Sequence, residues 1–285
     1  MATIRRHARV LAIAAVLLPL SVASTSAGVC DLTTSGSTCS NVSFGGAIYT
    51  NVVTSATRTF TIDPFLQMKV TSTSSTPTTE KGYNTGGTLQ TGFQQSNETS
   101  NLLLTDVPIT TIGGVQYREF LLTIDEPGGA KARLSLDQLQ VFLSPTQSLT
   151  NYQVSSSGIG KLNGLTAVYD MDAGGDPNNN NYVKLSYSVQ TGTKIATGGQ
   201  LTAVVYIPNA LFTQSSNPQY VYLYSQFGGV SFYGADGGLE TWWVRTNGPG
   251  TQVTLNPEPG SMLLLGTGIA LLGARARKRR RLTAS

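Results

Sequence analysis

Val183-Lys184-Leu185-Ser186-Tyr187-Ser188-Val189 places Val183, Leu185, Tyr187 and Val189 on one face of an extended chain and Lys184, Ser186 and Ser188 on the other. A period of two is the mark of a strand with one buried face. The pattern recurs on both sides. At 117–124, Phe120, Leu122 and Ile124 share a face with Arg118, and Tyr117, Glu119, Leu121 and Thr123 share the other. Further strands are predicted at 201–207, ended by Pro208, at 220–227, at 241–244 and at 252–255. Between 28 and 255 no stretch sustains the 3.6-residue period of an amphipathic helix, and 209–212 is one helical turn at most.

The remaining segments read less cleanly. Residues 57–62 form a strand that Asp63-Pro64 ends, and 65–71 form a second, weaker one. Residues 72–97, dense in Thr, Ser, Gly and Gln, read as a long loop with one hairpin. A strand begins at Leu102 and is cut by Pro108. Ile112-Gly113-Gly114-Val115 is a hairpin turn, because paired glycines supply the positive φ that a two-residue connection needs. Residues 134–143 are ambiguous: the start fits a helical turn, the end a strand. Ten or so short strands separated by Gly, Asn and Pro turns predict an all-β fold, a β-sandwich or jelly roll, as one domain over 28–255.

Both ends of the 285-residue chain are processing segments rather than fold. Arg5, Arg6 and Arg9 precede an apolar run at 10–20 and small residues up to Ala27, the layout of a secretory signal peptide over 1–27. Ser21-Val22-Ala23 and Thr25-Ser26-Ala27 both end in an acceptable small residue, so signal peptidase has two sites to choose between, with Ala27 preferred. At the other end, Pro257-Glu258-Pro259 leads into an apolar run at 262–274, then Arg275, Arg277, Lys278, Arg279, Arg280 and Arg281. As a helix that run is about 20 Å long, shorter than the roughly 20 residues a comfortable span requires. The basic cluster stays on the cytoplasmic side, and the two prolines keep the peptide outside the membrane extended and accessible.

The formal net charge of +4 belongs to those ends. Of the 19 Lys and Arg, three lie in the leader and six in the tail, leaving 10 against 14 of the 15 acidic residues, a balance of −4 over 28–255. A nucleic-acid binder would carry its basic patch on the domain itself, so that class is excluded. The single histidine, His7, is in the leader. Without it the exported chain has no Ser-His-Asp or Cys-His nucleophile and no His-ligated zinc. Cys30 and Cys39 are the only cysteines, and in an oxidising compartment their default state is a disulfide.

Three constellations offer chemistry. Asp170, Asp172 and Asp176 alternate along a Gly- and Asn-rich loop that can wrap a hard cation such as Ca²⁺, with Asp137 and Asn179, Asn180 and Asn181 as further oxygens. It is not an EF-hand, since the glycine is misplaced and no glutamate closes the loop. The bland alternative is a solvated loop, where Asp, Gly and Asn are common anyway. Tyr220, Tyr222 and Tyr224 share one strand face and Trp242 and Trp243 point to opposite faces. They form either a platform for carbohydrate or an internal aromatic ladder. Asp125, Glu126, Asp236 and Glu240 are available for a glycosidase pair, but their spacing selects none. Asn41-Val42-Ser43 and Asn97-Glu98-Thr99 match the glycosylation sequon.

The tail over 256–281 resembles the PEP-CTERM sorting signal in all three parts and their order. The resemblance implies export across the inner membrane of a Gram-negative-type bacterium, with the Sec translocon and signal peptidase as first partners. It then implies cutting near Pro257-Glu258-Pro259 by exosortase, a transpeptidase-like membrane protease, after transient contact of the tail with the membrane. Stretches between 57 and 245, among them Glu80-Lys81-Gly82-Tyr83-Asn84-Thr85 and Val168-Tyr169-Asp170-Met171-Asp172, resemble a group of PEP-CTERM proteins of unknown function. The expectation is a non-enzymatic surface or extracellular-matrix protein that serves in adhesion, structure or contact with extracellular polysaccharide. The competing expectations are a surface polysaccharide hydrolase with a carboxylate pair and a periplasmic protein held by an uncut tail.

Overall fold

The computed structural model describes residues 28–40, 42–52, 62–69, 79–96, 98–155, 159–172, 180–191, 200–213 and 219–245. The predicted leader, the sorting tail, Asp176 and the strands expected at 57–61 and 252–255 lie outside them. Seventeen strands run in chain order. They are β1 (Val29–Asp31), β2 (Thr38–Ser40), β3 (Ile48–Thr50), β4 (Ile62–Met68), β5 (Glu80–Tyr83) and β6 (Leu102–Leu103). Next come β7 (Ile109–Ile112), β8 (Val115–Thr123), β9 (Arg133–Ser144), β10 (Tyr152–Val154), β11 (Gly160–Leu162) and β12 (Leu165–Thr166). The last are β13 (Tyr169–Asp170), β14 (Tyr182–Ser186), β15 (Ala203–Pro208), β16 (Tyr220–Phe227) and β17 (Glu240–Arg245).

Two sheets form the all-β sandwich. One has the order β1-β14-β9-β16-β5, with β13 beside β9 and β6 beside β16; the other has the order β2-β3-β15-β8-β17-β4, with β7 beside β8. Their inner faces share one core that includes Phe65, Phe120, Leu122, Leu136, Val141, Val183, Leu185, Val205, Val221, Leu223 and Trp242. Among them Phe120 with Leu122, and Val183 with Leu185, are alternate residues that the period of two placed on a common face. A small third sheet, β10-β11-β12, covers the outer face of the first. It buries Tyr83, Phe142, Tyr152, Tyr222 and Tyr224.

Several local expectations need correction. Asp63-Pro64 does not end a strand, for β4 runs through it. Pro64 faces Trp243 beside a register shift, and β4 lies at the sheet edge, so the N–H that proline lacks costs little. Residues 134–143 are strand throughout, because β9 is paired with both β14 and β16. The strand read at 183–189 stops at Ser186, where the Val189 N–H turns back to the Ser186 carbonyl at 3.0 Å. The loop read at 72–97 contains β5. Its Gly82 sits where a Cβ would lie 2.9 Å from Met68 Cγ, so the close approach of the two sheets demands glycine there. The Gly113-Gly114 turn is as read, with φ of 57° and 84°, and closes the β7–β8 hairpin.

The sandwich has two lateral edges. At one, β1 and β2 belong to different sheets, and a disulfide joins Cys30 to Cys39 with their Cα atoms 5.8 Å apart. At the other, β5 and β4 lie side by side and the segment 94–96 bonds to both. The Gln94 N–H donates to the Lys81 carbonyl at 3.0 Å and the Ser96 N–H to the Gln67 carbonyl at 2.8 Å. Neither edge is left as an open row of strand donors and acceptors.

Candidate functional site

The tyrosines and tryptophans expected to meet carbohydrate are internal. Tyr222 and Tyr224 are 0% and 1% exposed, and Trp242 and Trp243 are 0% and 7%. Tyr224 stacks on Tyr152 at a centroid distance of 3.9 Å, and the Tyr222 hydroxyl donates to the Thr146 carbonyl at 2.7 Å. Trp242 Nε1 donates to Ser225 Oγ and Trp243 Nε1 to Thr123 Oγ1, both at 3.0 Å. Only Tyr220, half-buried with its hydroxyl 3.3 Å from Gln147 Oε1, keeps an open side. Side-chain alternation could not separate these outcomes. It tells which residues share a face, but not that a third sheet covers that face.

The acidic loop is brought to a cavity of about 280 Å³ lined by Asp137, Gln138, Asp172, Asn180, Asn181 and Gln226, among others. Of the predicted ligands, Asp172, Asp137, Asn180 and Asn181 reach it. Asp170 does not line it: its Oδ2 accepts from Gln140 Nε2 at 2.7 Å and its Oδ1 caps the Asp172 N–H at 3.0 Å. Asn181 holds the loop in place. Its Nδ2 donates to the carbonyls of Ser43 and Met171, and its Oδ1 accepts the Gly28 N–H. The Asn181 N–H in turn donates to Asp172 Oδ1 at 2.7 Å.

Asp137, on β9, accepts the Gly229 N–H through Oδ2. Its Oδ1 is buried with no donor; the nearby Ser135 hydroxyl gives its proton to the Tyr233 carbonyl. Burial pushes the Asp137 carboxyl up to about 6, against the Gly229 N–H. Burial, reinforced by the charges of Asp170 and Asp137, pushes Asp172 up to about 7. An unpartnered carboxylate oxygen beside a second raised carboxyl is open to a cation. The donor set is half a shell: Ca²⁺ takes 6–8 oxygens, and among the described residues no group of three or more His, Cys, Asp or Glu can hold a metal ion.

The carboxylates weighed for hydrolysis do converge, but Glu126 and Glu240 lie inside the protein, Asp236 is half-buried and Asp125 is exposed. The Asp236 N–H donates to Glu126, and the Asp125 backbone lies near the Glu240 carboxyl. Glu126 is 2% exposed and Glu240 0%. The group facing Glu240 is Glu80, also 0% exposed, which sequence reading passed over as a loop residue. A glycosidase pair flanks a sugar bond across roughly 5–9.5 Å of open cleft, and two carboxyls that are 0% exposed leave no such cleft between them. A separate surface groove of about 580 Å³ is lined by polar groups, among them Asp63, Asn101, Thr105, Asp106 and Arg245. The Arg245 guanidinium is held by Glu119, with Nε 2.6 Å from Oε1.

The class these features define is an all-β sandwich with buried glutamates in its interior. The family model described as the PEP-CTERM protein-sorting motif matches residues 257–281. The chain thus carries the PEP-CTERM sorting motif, which marks an exported bacterial protein for exosortase. No curated protein and no solved structure matches it. Among the described residues no helix is long and apolar enough to cross a membrane.

Proposed function

We propose that the protein works outside the cell as a non-enzymatic module of the surface or extracellular matrix. It crosses the inner membrane of a Gram-negative-type bacterium through the Sec translocon, loses its leader to signal peptidase, and is cut by exosortase near Pro257-Glu258-Pro259. The carrying observation is the sorting motif at 257–281 behind a sandwich in which Glu80, Glu126 and Glu240 are buried rather than presented to a substrate. Contact with polysaccharide then falls to polar surface such as the groove of Asp63, Asn101, Thr105 and Asp106, because the aromatic rings are inside. Replacing Pro257 and Glu258 together by Ala tests the delivery step by cell fractionation. Wild type is expected in the surface and medium fractions and the variant in the inner membrane. Identical fractionation of the two would overturn the reading.

The orphaned Asp137 Oδ1 favours a second element, a Ca²⁺ held by Asp137 and Asp172 with neighbouring amide oxygens. Extracellular modules bind Ca²⁺ with Kd of about 10⁻⁴–10⁻³ M. At 100-fold excess over Kd, Ca²⁺ stabilises the fold by about 2.7 kcal/mol. Thermal unfolding with and without Ca²⁺ is expected to show this shift in wild type and to lose it in Asp137→Asn; no shift in wild type would remove the ion from the account.

A further inference from the structure

Asp137 stands at an irregularity of β9. On the neighbouring β16, Gln226 pairs with Gln138 and Phe227 with Leu136, so Asp137 has no residue opposite it. A bulge of this kind re-aims a side chain out of the alternation of its strand. Asp137 lines the cavity of about 280 Å³, and its Oδ1 is buried there with no donor. The groups around it suit hydroxyls. Gln138, Asn180 and Gln226 are carboxamides that both donate and accept, Asp137 and Asp172 accept, and Tyr182 adds the flank of a ring. Gln226 Oε1 accepts the Tyr224 hydroxyl at 3.2 Å, which leaves its Nε2 to donate. The volume is several times the roughly 30 Å³ of one water, so an ion alone does not fill it.

At the rim stands an exception to the burial of aromatic rings. Gly229 and Val230 line the cavity, and the chain then turns, with the Tyr233 N–H donating to the Val230 carbonyl at 3.0 Å. Phe232 is the third residue of that turn, at φ 67°, and is 83% exposed. Glycine or asparagine ordinarily takes this position, and a bulky residue there strains the backbone. Neither the turn nor the core accounts for a phenyl ring. The turn is also pinned. The Val230 N–H donates to Ser135 Oγ at 3.3 Å and the Ser135 N–H to the Tyr233 carbonyl at 3.0 Å. The Arg133 guanidinium and the Lys184 ammonium lie 5.9 Å and 5.5 Å from the centre of the Tyr233 ring. A ring presented on a fixed support loses little freedom on contact.

We propose that this cavity holds one sugar residue of a neutral extracellular polysaccharide. Asp137, Gln138 and Gln226 bond its hydroxyls, and Phe232 meets the apolar face of the polymer at the rim. An acidic sugar would face Asp137 and Asp172 and be repelled. The inference rests on the reading of the protein as an extracellular module, and it names a site and a chemistry for the polysaccharide contact. It is compatible with Ca²⁺ in the same cavity, since hydroxyl oxygens can complete the shell of a hard cation.

The test is affinity electrophoresis of the processed protein. The gels are cast with deproteinised polysaccharide from the medium of the same cells, split by anion exchange into neutral and acidic fractions. The neutral fraction is expected to retard wild type. Phe232→Asn should weaken that retention about fivefold and leave thermal unfolding unchanged or improved, because asparagine suits the turn. Asp137→Asn keeps the side-chain shape and should weaken retention about tenfold; should it fail to fold, Gln226→Ala takes its place. Runs with Ca²⁺ and with chelator keep the ion separate: retention in chelator that both variants weaken supports the sugar site without the ion. The gel reads purified protein, so a failure of delivery and a failure of binding are told apart. No retardation by the neutral fraction overturns the proposal, as does retardation by the acidic fraction alone. So do wild-type retention in both variants, a loss of stability in Phe232→Asn, and a loss of retention confined to Asp106→Asn, which would put the sugar in the other groove.

Discussion

At the β1–β2 edge the two sheets are joined by the Cys30–Cys39 disulfide; at the β4–β5 edge they meet through the buried carboxyls of Glu80 and Glu240. The disulfide acts mainly on the unfolded chain, by denying it freedom, and is indifferent to pH. Burial, with the Glu80 carboxyl beside it, pushes the Glu240 carboxyl up, so its contribution to stability is lost as pH rises. One edge is therefore set once, by oxidation after export, and the other answers to the medium the protein meets afterwards.

The largest way to break this contrast is to remove the covalent edge. Cys30→Ser with Cys39→Ser closes no loop in the unfolded state and is expected to cost about 2–3 kcal/mol. Its unfolding constant should keep the wild-type dependence on pH, since neither cysteine touches the acid pair. A changed slope in denaturant titrations at several pH values would show that the two edges are coupled. A smaller effect sharpens the other side. Burial, with the Glu240 charge behind it, pushes the Glu126 carboxyl up to about 8. Its stabilising contribution is complete below about pH 4.5 and is lost by about pH 8. Glu126→Gln is expected to flatten the stability profile over that window and to leave stability at pH 4 nearly unchanged. An unaltered profile would mean that Glu126 is already ionised in the fold.

The two edges were unequally legible. Two cysteines in an exported chain announce a bridge by residue type, with no knowledge of the fold. Glu80 and Glu240 announce nothing, because exposure is the rule for glutamate and only the register of β5 and β17 sets them face to face. β5 itself was hidden, since Glu80-Lys81-Gly82-Tyr83 has a glycine and two charges where a strand pattern wants apolar residues. The sandwich class was readable from the alternation at 117–124, 183–186 and 220–227, where a buried face repeats every second residue. Burial of the opposite face of β16 was not, because the covering strands β10–β12 are short and separated from it by more than 50 residues. The cation loop was half legible: Asp172 and Asp137 share a cavity as their residue types suggested, whereas Asp170 turned away to Gln140.

The central claim, that the working protein is an exported sandwich freed of both ends, is met most directly by the intact mass of the chain from its own cells and medium. The account predicts a species that starts near Gly28, ends between Pro257 and Pro259, and is lighter by the two thiol hydrogens that the Cys30–Cys39 bridge removes. A species that retains residues 262–281 contradicts the processing at the core of the account.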